Sequence, residues 1–183
     1  MLVADLVAVL AIFAVVALWV VGTARRLDRL HARVDAAAAA LDAQLRRRDE
    51  LILQWARGVR LRKLARRVGA AAFEAIATPG LGRDREVAEN TVVRALSGVL
   101  VAVRPADDVD QEMTQLHDET LRARFACRFY NDTVRDALLV RDRRVVRWLG
   151  LAGHAPLPAY FEMADDELPW ERIQFAPRRT IEG

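Results

Sequence analysis

Residues 6–22, LVAVLAIFAVVALWVVG, carry no charged side chain. Extending the stretch back to Leu2 adds only Asp5, whose carboxylate can sit at headgroup level. A helix over residues 2–22 is about 31 Å long, close to the thickness of one bilayer core. Trp19 lies near one end, where an amphipathic aromatic favours the membrane–water interface. The remaining chain is charged and suits water, so one segment divides the 183 residues into two very different parts.

Two readings compete for this segment. A cleaved signal peptide needs a basic start, and Asp5 is the only charged side chain before Arg25; Gly22 and Ala24 are nonetheless small enough for a cleavage site. A retained anchor is the favoured reading. Arg25, Arg26, Arg29 and Arg33 follow it against one acid, Asp28, and basic flanks mark the cytoplasmic side. The sequence thus predicts a single-pass membrane protein with its N-terminus outside and its soluble part in the cytoplasm. No cysteine follows the apolar run, which excludes a lipoprotein anchor at that junction. The single cysteine, Cys127, cannot form an internal disulfide.

Beyond the anchor, apolar residues recur at helical spacing. Leu27, Leu30, Val34, Ala37, Leu41, Leu45, Ile52, Trp55 and Val59 form one stripe, with Arg48 in the gap. Leu61, Leu64, Val68, Ala72 and Ile76 continue it out of phase, and a kink is expected at Gly58 or Gly69. Thr78-Pro79-Gly80-Leu81-Gly82 stops the helix. Asp84 is a candidate cap for a second helix with apolar positions Val87, Val92, Val93, Leu96, Leu100 and Val103, broken at Pro105. Asp107 or Asp108 starts a third, with a stripe Val109, Met113, Leu116, Thr120, Ala123, Cys127, Tyr130, Val134, Ala137. A basic amphipathic piece at 143–151, Pro156, Pro158, Tyr160-Phe161 and a polar tail follow. The fold class is all-α: an antiparallel helical bundle, residues 25–162, on an N-terminal transmembrane helix, residues 1–24, with a C-terminal tail, 163–183.

LDAQLRRRDELILQW, residues 41–55, interrupts its apolar stripe with three arginines. At 100° per residue Arg46, Arg47 and Arg48 fan around the helix, and only Arg48 falls in the stripe. Either it snorkels, stem on the core and head in water, or it is buried against a carboxylate from another helix. Glu119, Asp118 and Asp132 are the acids near the third stripe.

This stretch resembles the first soluble helix of the LemA family of bacterial membrane-anchored proteins. Val34-Asp35, Ala37, Asp42, Gln44-Leu45, Arg46-Arg47 and Leu51-Ile52 match that family's pattern. FACRFYNDTV, residues 125–134, is similar to its F-A-R-x-x-Y-N-x-x-V helix, and Phe161 beside Glu162 echoes its aromatic C-terminal segment. The chain departs at Ala38, where the family has tryptophan, at Leu53-Gln54 in place of Pro-Asn, at Cys127 in place of arginine, and at Asp136-Ala137 in place of a later Tyr-Asn pair. The resemblance, as a divergent member, implies a LemA-like four-helix bundle on one anchor, no enzymatic activity, and a role in organising the membrane or its proteins.

No catalytic, cofactor or metal constellation emerges from the residues. Cys127 and His117 lie ten residues apart on one helix, about 15 Å of rise, too far to act together. Cys127 sits in a stripe and reads as a small buried residue. His31, His117 and His154 lack metal-ligand spacing. Asp107, Asp108 and Asp110 lack the glycine and distal glutamate of a calcium loop. Tyr130-Asn131 is the most distinctive pair; its ordinary reading is a tyrosine packed inward against the first helix, its sharper one a ligand site.

Residues 22–67 hold thirteen Arg or Lys against five acids, a difference of +8. Beside a membrane this favours anionic headgroups; nucleic acid is not expected, because exposed aromatics do not interleave the bases apart from Trp55. The expected partners are the lipid bilayer and other membrane proteins. Two functions remain: a non-enzymatic membrane-anchored scaffold or adaptor, and an envelope-stress sensor binding a peptide or lipid in a cavity near Tyr130. Helix lengths add one expectation. If residues 25–78 form one straight helix, the stripe from Leu27 to Leu45 has no intrachain partner and calls for a homo-oligomer.

Overall fold

The computed structural model describes residues 2–58, 62–102, 111–142, 157–164 and 168–172. Four α-helices follow in order: α1 Leu2–Gly58, α2 Arg62–Ala77, α3 Arg83–Ala102 and α4 Gln111–Arg141. A short 3-10 turn, Trp170–Arg172, comes last, and no strand occurs among the described residues. The fold is an all-helical bundle with one long apolar N-terminal helix, as the periodicity predicts. Val59, Leu61, Val103, Asp107, Asp108, Val109, Asp110, His154, Pro156 and the basic piece at 143–151 lie outside the described residues.

The chain divides into two compact units. The first joins Met1–Ala37 to Asn131–Tyr160. Here residues 5–19 are exposed along their whole length, on a helix long and apolar enough to cross a membrane, with mean hydropathy 2.7. Below them Leu27 and Val140 bury one another, with Leu30 alongside. Val34 and Ala37 of α1 are buried, as are Val134 and Ala137 of α4.

The second unit joins Ala38–Tyr130 to Phe161–Gly183. Its core takes Ile52 and Trp55 from α1, Val68, Ala71, Ala72 and Ala75 from α2, Val92, Val93, Leu96, Val99 and Leu100 from α3, and Met113 and Leu116 from α4. Leu168 is buried with them, and Met163 and Trp170 pack against the cluster, so part of the stretch read as a polar tail belongs to the core.

Helix α1 ends at Gly58 and the chain folds back. A Cβ on Gly69 of α2 would lie 3.4 Å from that of Ala56, and Arg46 donates to the Ile76 carbonyl at 3.3 Å. These pairs run in opposite senses, so α2 is antiparallel to α1. The five-residue loop 78–82 then reverses the chain, with Gly80 at φ +73°, a left-handed conformation that glycine adopts without strain. Helix α3 begins at Arg83, so Asp84 sits inside its first turn rather than capping it.

This fold-back corrects the single 25–78 helix and what followed from it. Helices α2 and α3 then pack on one another as a hairpin. Within the first unit Val140 of α4 packs on Leu27, Val34 and Ala37 are buried, and in the second unit Leu41 and Leu45 are fully buried. The lower stripe has intrachain cover, which removes the reason given for a homo-oligomer pairing those segments. Val87, placed in the α3 stripe from sequence, is 58% exposed; the buried face instead runs Arg85, Ala88, Glu89, Val92, Val93, Leu96, Val99, Leu100.

Candidate functional site

The three consecutive arginines take three different environments. Arg46, at the edge, pairs with Asp42 one turn earlier at 2.8 Å and donates to the Ile76 carbonyl near the C-terminus of α2. The hydrogen bond that Arg46 donates to Asp42, followed by the charge of Asp42, raises the Arg46 pKa above the usual guanidinium value. Its position also suits the negative end of the α2 dipole. Arg47 faces solvent. Arg48 is 1% exposed, which overturns the snorkelling reading.

Arg48 is buried in a cluster of opposite charges. It pairs with Asp49 at 2.8 Å and with Glu89 of α3. Arg85 pairs with Glu89 at 2.7 Å and with Asp42 at 3.4 Å, and its guanidinium lies 3.9 Å from Asp49. Arg85 also donates to the Thr78 carbonyl at 2.8 Å, satisfying the frayed end of α2. Arg48, Asp49, Arg85 and Glu89 are each no more than 1% exposed, so two cations balance two anions out of reach of water. The partner of Arg48 therefore lies on α3; Glu119, Asp118 and Asp132 do not supply it. Glu119 instead pairs with Arg122 one turn along α4.

Burial opposes the Arg48 charge, but the negative charges of Asp49 and Glu89 outweigh it and raise its pKa. Asp49 moves the other way from an ordinary ion-paired acid. Burial pushes its carboxyl up to about 6; Arg48 pulls it down and neighbouring Glu89 pushes it up again. The cluster thus contains one carboxyl close to its protonation point.

A non-helical strap, residues 161–164, crosses this region, and side chains bond four of its backbone groups. Glu162 donates its N–H to Glu86 at 2.8 Å. The Asn90 amide donates to the Glu162 carbonyl at 3.3 Å and accepts from the Ala164 N–H at 2.9 Å. The Cys127 thiol donates to the Phe161 carbonyl at 3.3 Å. Such pairing lets irregular backbone lie against a core. Phe161 is fully buried, and the Met163 sulfur lies 3.5 Å from Arg48. Cys127 is buried, as its stripe position predicts.

Tyr130 is 6% exposed and Asn131 half-buried. Burial, then the neighbouring Cys127 and Glu86, pushes the Tyr130 phenol above its usual range. His117 lies edge-on to Trp170 with ring centroids 4.9 Å apart.

In the first unit, Arg26, Arg29, Leu30 and Arg33 of α1 and Asp136, Leu139 and Val140 of α4 line an open cleft of about 510 Å³. Arg25 is exposed and lies outside this lining.

Sequence reasoning missed Asp49, Arg85 and Glu89 as a unit. The signal was present: Arg85, Glu89, Val92, Leu96 and Val99 share one helical face, and a basic and an acidic residue one turn apart on a stripe should mark a buried pair. The clamp residues Glu86 and Asn90 carried no such periodic signal. No protein-family model, curated protein or solved structure matches the chain.

Proposed function

We propose that the protein is a divergent LemA-type scaffold, a non-enzymatic helical bundle held at the cytoplasmic face of a bacterial inner membrane by α1, which organises other membrane proteins or the membrane itself. The observation that carries this reading is one continuous 57-residue helix. Its first part exposes apolar side chains throughout, while its second part gives Leu41, Leu45, Ile52 and Trp55 to a filled core. A helix that is apolar all round suits lipid, and one with a single buried face suits a bundle. Arg25, Arg26, Arg29 and Arg33 at the change-over support the cytoplasmic orientation.

The family assignment rests on the motif residues. The block Asp42, Arg46 and its neighbours connects α1 to α2 and α3. The Cys127–Tyr130 block bears on the Phe161 strap. A motif used to join helices fits a scaffold. The sensor reading needs room at Tyr130, and there the tyrosine is buried while the strap covers its neighbour Cys127.

Copurification tests the proposal. The full chain, isolated from its own membranes in mild detergent, should bring a reproducible set of membrane proteins identified by mass spectrometry. A chain with Arg48→Met and Tyr130→Ala, which disrupt the bundle, should lose them while staying in the membrane. Recovery of the same set with that disrupted chain, or of none with the intact one, contradicts it.

A further inference from the structure

We infer that the basic cleft between α1 and α4 is a binding site for one anionic phospholipid, whose phosphodiester the arginines bind and whose uncompensated negative charge sets it apart from a zwitterionic lipid. The inference rests on the anchored reading above and deepens it by naming a particular lipid class and site.

Position comes first. Taking Gly22 as the end of the hydrocarbon, Arg26, Arg29 and Arg33 lie about 6, 10 and 16 Å further along the helix axis. The headgroup layer is roughly 5–7 Å thick on each side. Side chains on a helix lean toward its N-terminus, which on α1 is the membrane end. The guanidinium groups of Arg26 and Arg29 therefore lean back into the headgroup layer, and that of Arg33 lies over the turn of Arg29.

Chemistry comes second. Arg26, Arg29 and Arg33 have no ion pair or hydrogen bond among the described residues, unlike Arg46, Arg48 and Arg85. Guanidinium forks match phosphate oxygens two at a time. Three cations and Asp136 leave the lining at +2, enough to favour an anion. Leu30, Val140 and Leu139 form the apolar part of the lining, and Leu139 is 64% exposed. An apolar wall beside a phosphate subsite suits the glycerol and first methylenes of a lipid better than free phosphate. The cleft is large enough for a headgroup and is open on one side.

The test is native mass spectrometry of the full chain released from nanodiscs of mixed phosphatidylglycerol and phosphatidylcholine. The chain should retain one phosphatidylglycerol in preference to phosphatidylcholine. Arg26→Gln, Arg29→Gln and Arg33→Gln together should lower that preference on the order of 100-fold, at about 1 kcal/mol per arginine and 1.4 kcal/mol per decade. The charge-matched set Arg57→Gln, Arg66→Gln and Arg67→Gln, and the single Arg25→Gln, should leave it largely intact. Asp136→Asn should strengthen it, which tests the site with a variant that removes no arginine. Far-UV circular dichroism reports that each variant folds.

An equal loss in the charge-matched set or in Arg25→Gln overturns the site in favour of diffuse surface attraction. Lack of preference in the unaltered chain, or an Asp136→Asn variant that binds no better, also overturns it. Full displacement of the lipid by millimolar inorganic phosphate assigns the cleft to free phosphate and overturns the lipid. A chain that does not insert into the nanodisc refutes the anchored reading first, and this inference with it; insertion without lipid preference refutes this inference alone.

Discussion

Arg48→Met is the perturbation that most sharply probes the interior. The substitution keeps most of the stem volume and removes one of two buried cations. Asp49 and Glu89, both fully buried, then share Arg85 alone, with Asp42 already drawing on that guanidinium from the rim. Removing one partner of a buried charge set costs about 3–5 kcal/mol, because the remaining ions stay desolvated. For a chain of this size each kcal/mol moves the thermal midpoint by about 2–4 °C, so the midpoint should fall by about 6–20 °C. Thermal melting of the full chain in mild detergent, followed by circular dichroism, measures it. Arg47→Met, one residue away on the solvent side, is the control and should leave the midpoint almost unchanged. Adding Glu89→Leu to Arg48→Met should recover part of the loss, since it removes the excess negative charge and fills the site with apolar volume. A fall of less than about 2 °C for Arg48→Met would refute the reasoning, because it would mean that Arg48 reaches water in solution.

The raised Asp49 pKa means that the folded chain holds that proton more tightly than the unfolded chain does. Its contribution to stability is therefore largest below the ordinary carboxylate range and is lost as pH rises through about 6; Asp49→Asn should flatten the dependence of the thermal midpoint over that window, and an unchanged slope would assign the titration to another group. Tyr130→Ala should cost about 3–5 kcal/mol, as other buried aromatic truncations do, and an unchanged midpoint would place the ring at the surface. Gly69→Ala should stabilise by up to about 1 kcal/mol, since the new methyl meets Ala56 at 3.4 Å, an ordinary contact. Gly69→Leu should lose about 1–3 kcal/mol through overpacking of α1 on α2, and equal midpoints for the two variants would show that the helices are not in contact there.

The parts of the fold legible in the sequence were those with long apolar periods. Every described position of the third stripe, from Met113 through Cys127 and Tyr130 to Ala137, is buried. The break near Gly58 was also legible, because the stripe changes phase there. What phase alone does not reveal is the direction of the chain after the break: a kink and a full reversal leave the same pattern. The environment of Arg48 was ambiguous for a related reason. One arginine on an apolar stripe satisfies its head either in water or against an anion, and the anion at Glu89 is 41 residues away. The strap was illegible because its order comes from Glu86, Asn90 and Cys127 donating and accepting across the chain, and single polar groups on a helix do not name a partner far along the sequence.

Whole-cell cysteine labelling tests most directly the proposal that α1 holds the bundle at the cytoplasmic face of a membrane. A single Gly82→Cys probe, in a Cys127→Ala background, sits in the exposed loop between α2 and α3, where a new side chain meets nothing within 4 Å. The probe should be protected from a membrane-impermeant maleimide in intact cells and labelled once the cells are permeabilised, with the chain remaining in the membrane pellet after alkaline extraction. Labelling in intact cells, or release of the chain into the alkaline wash, would contradict the claim.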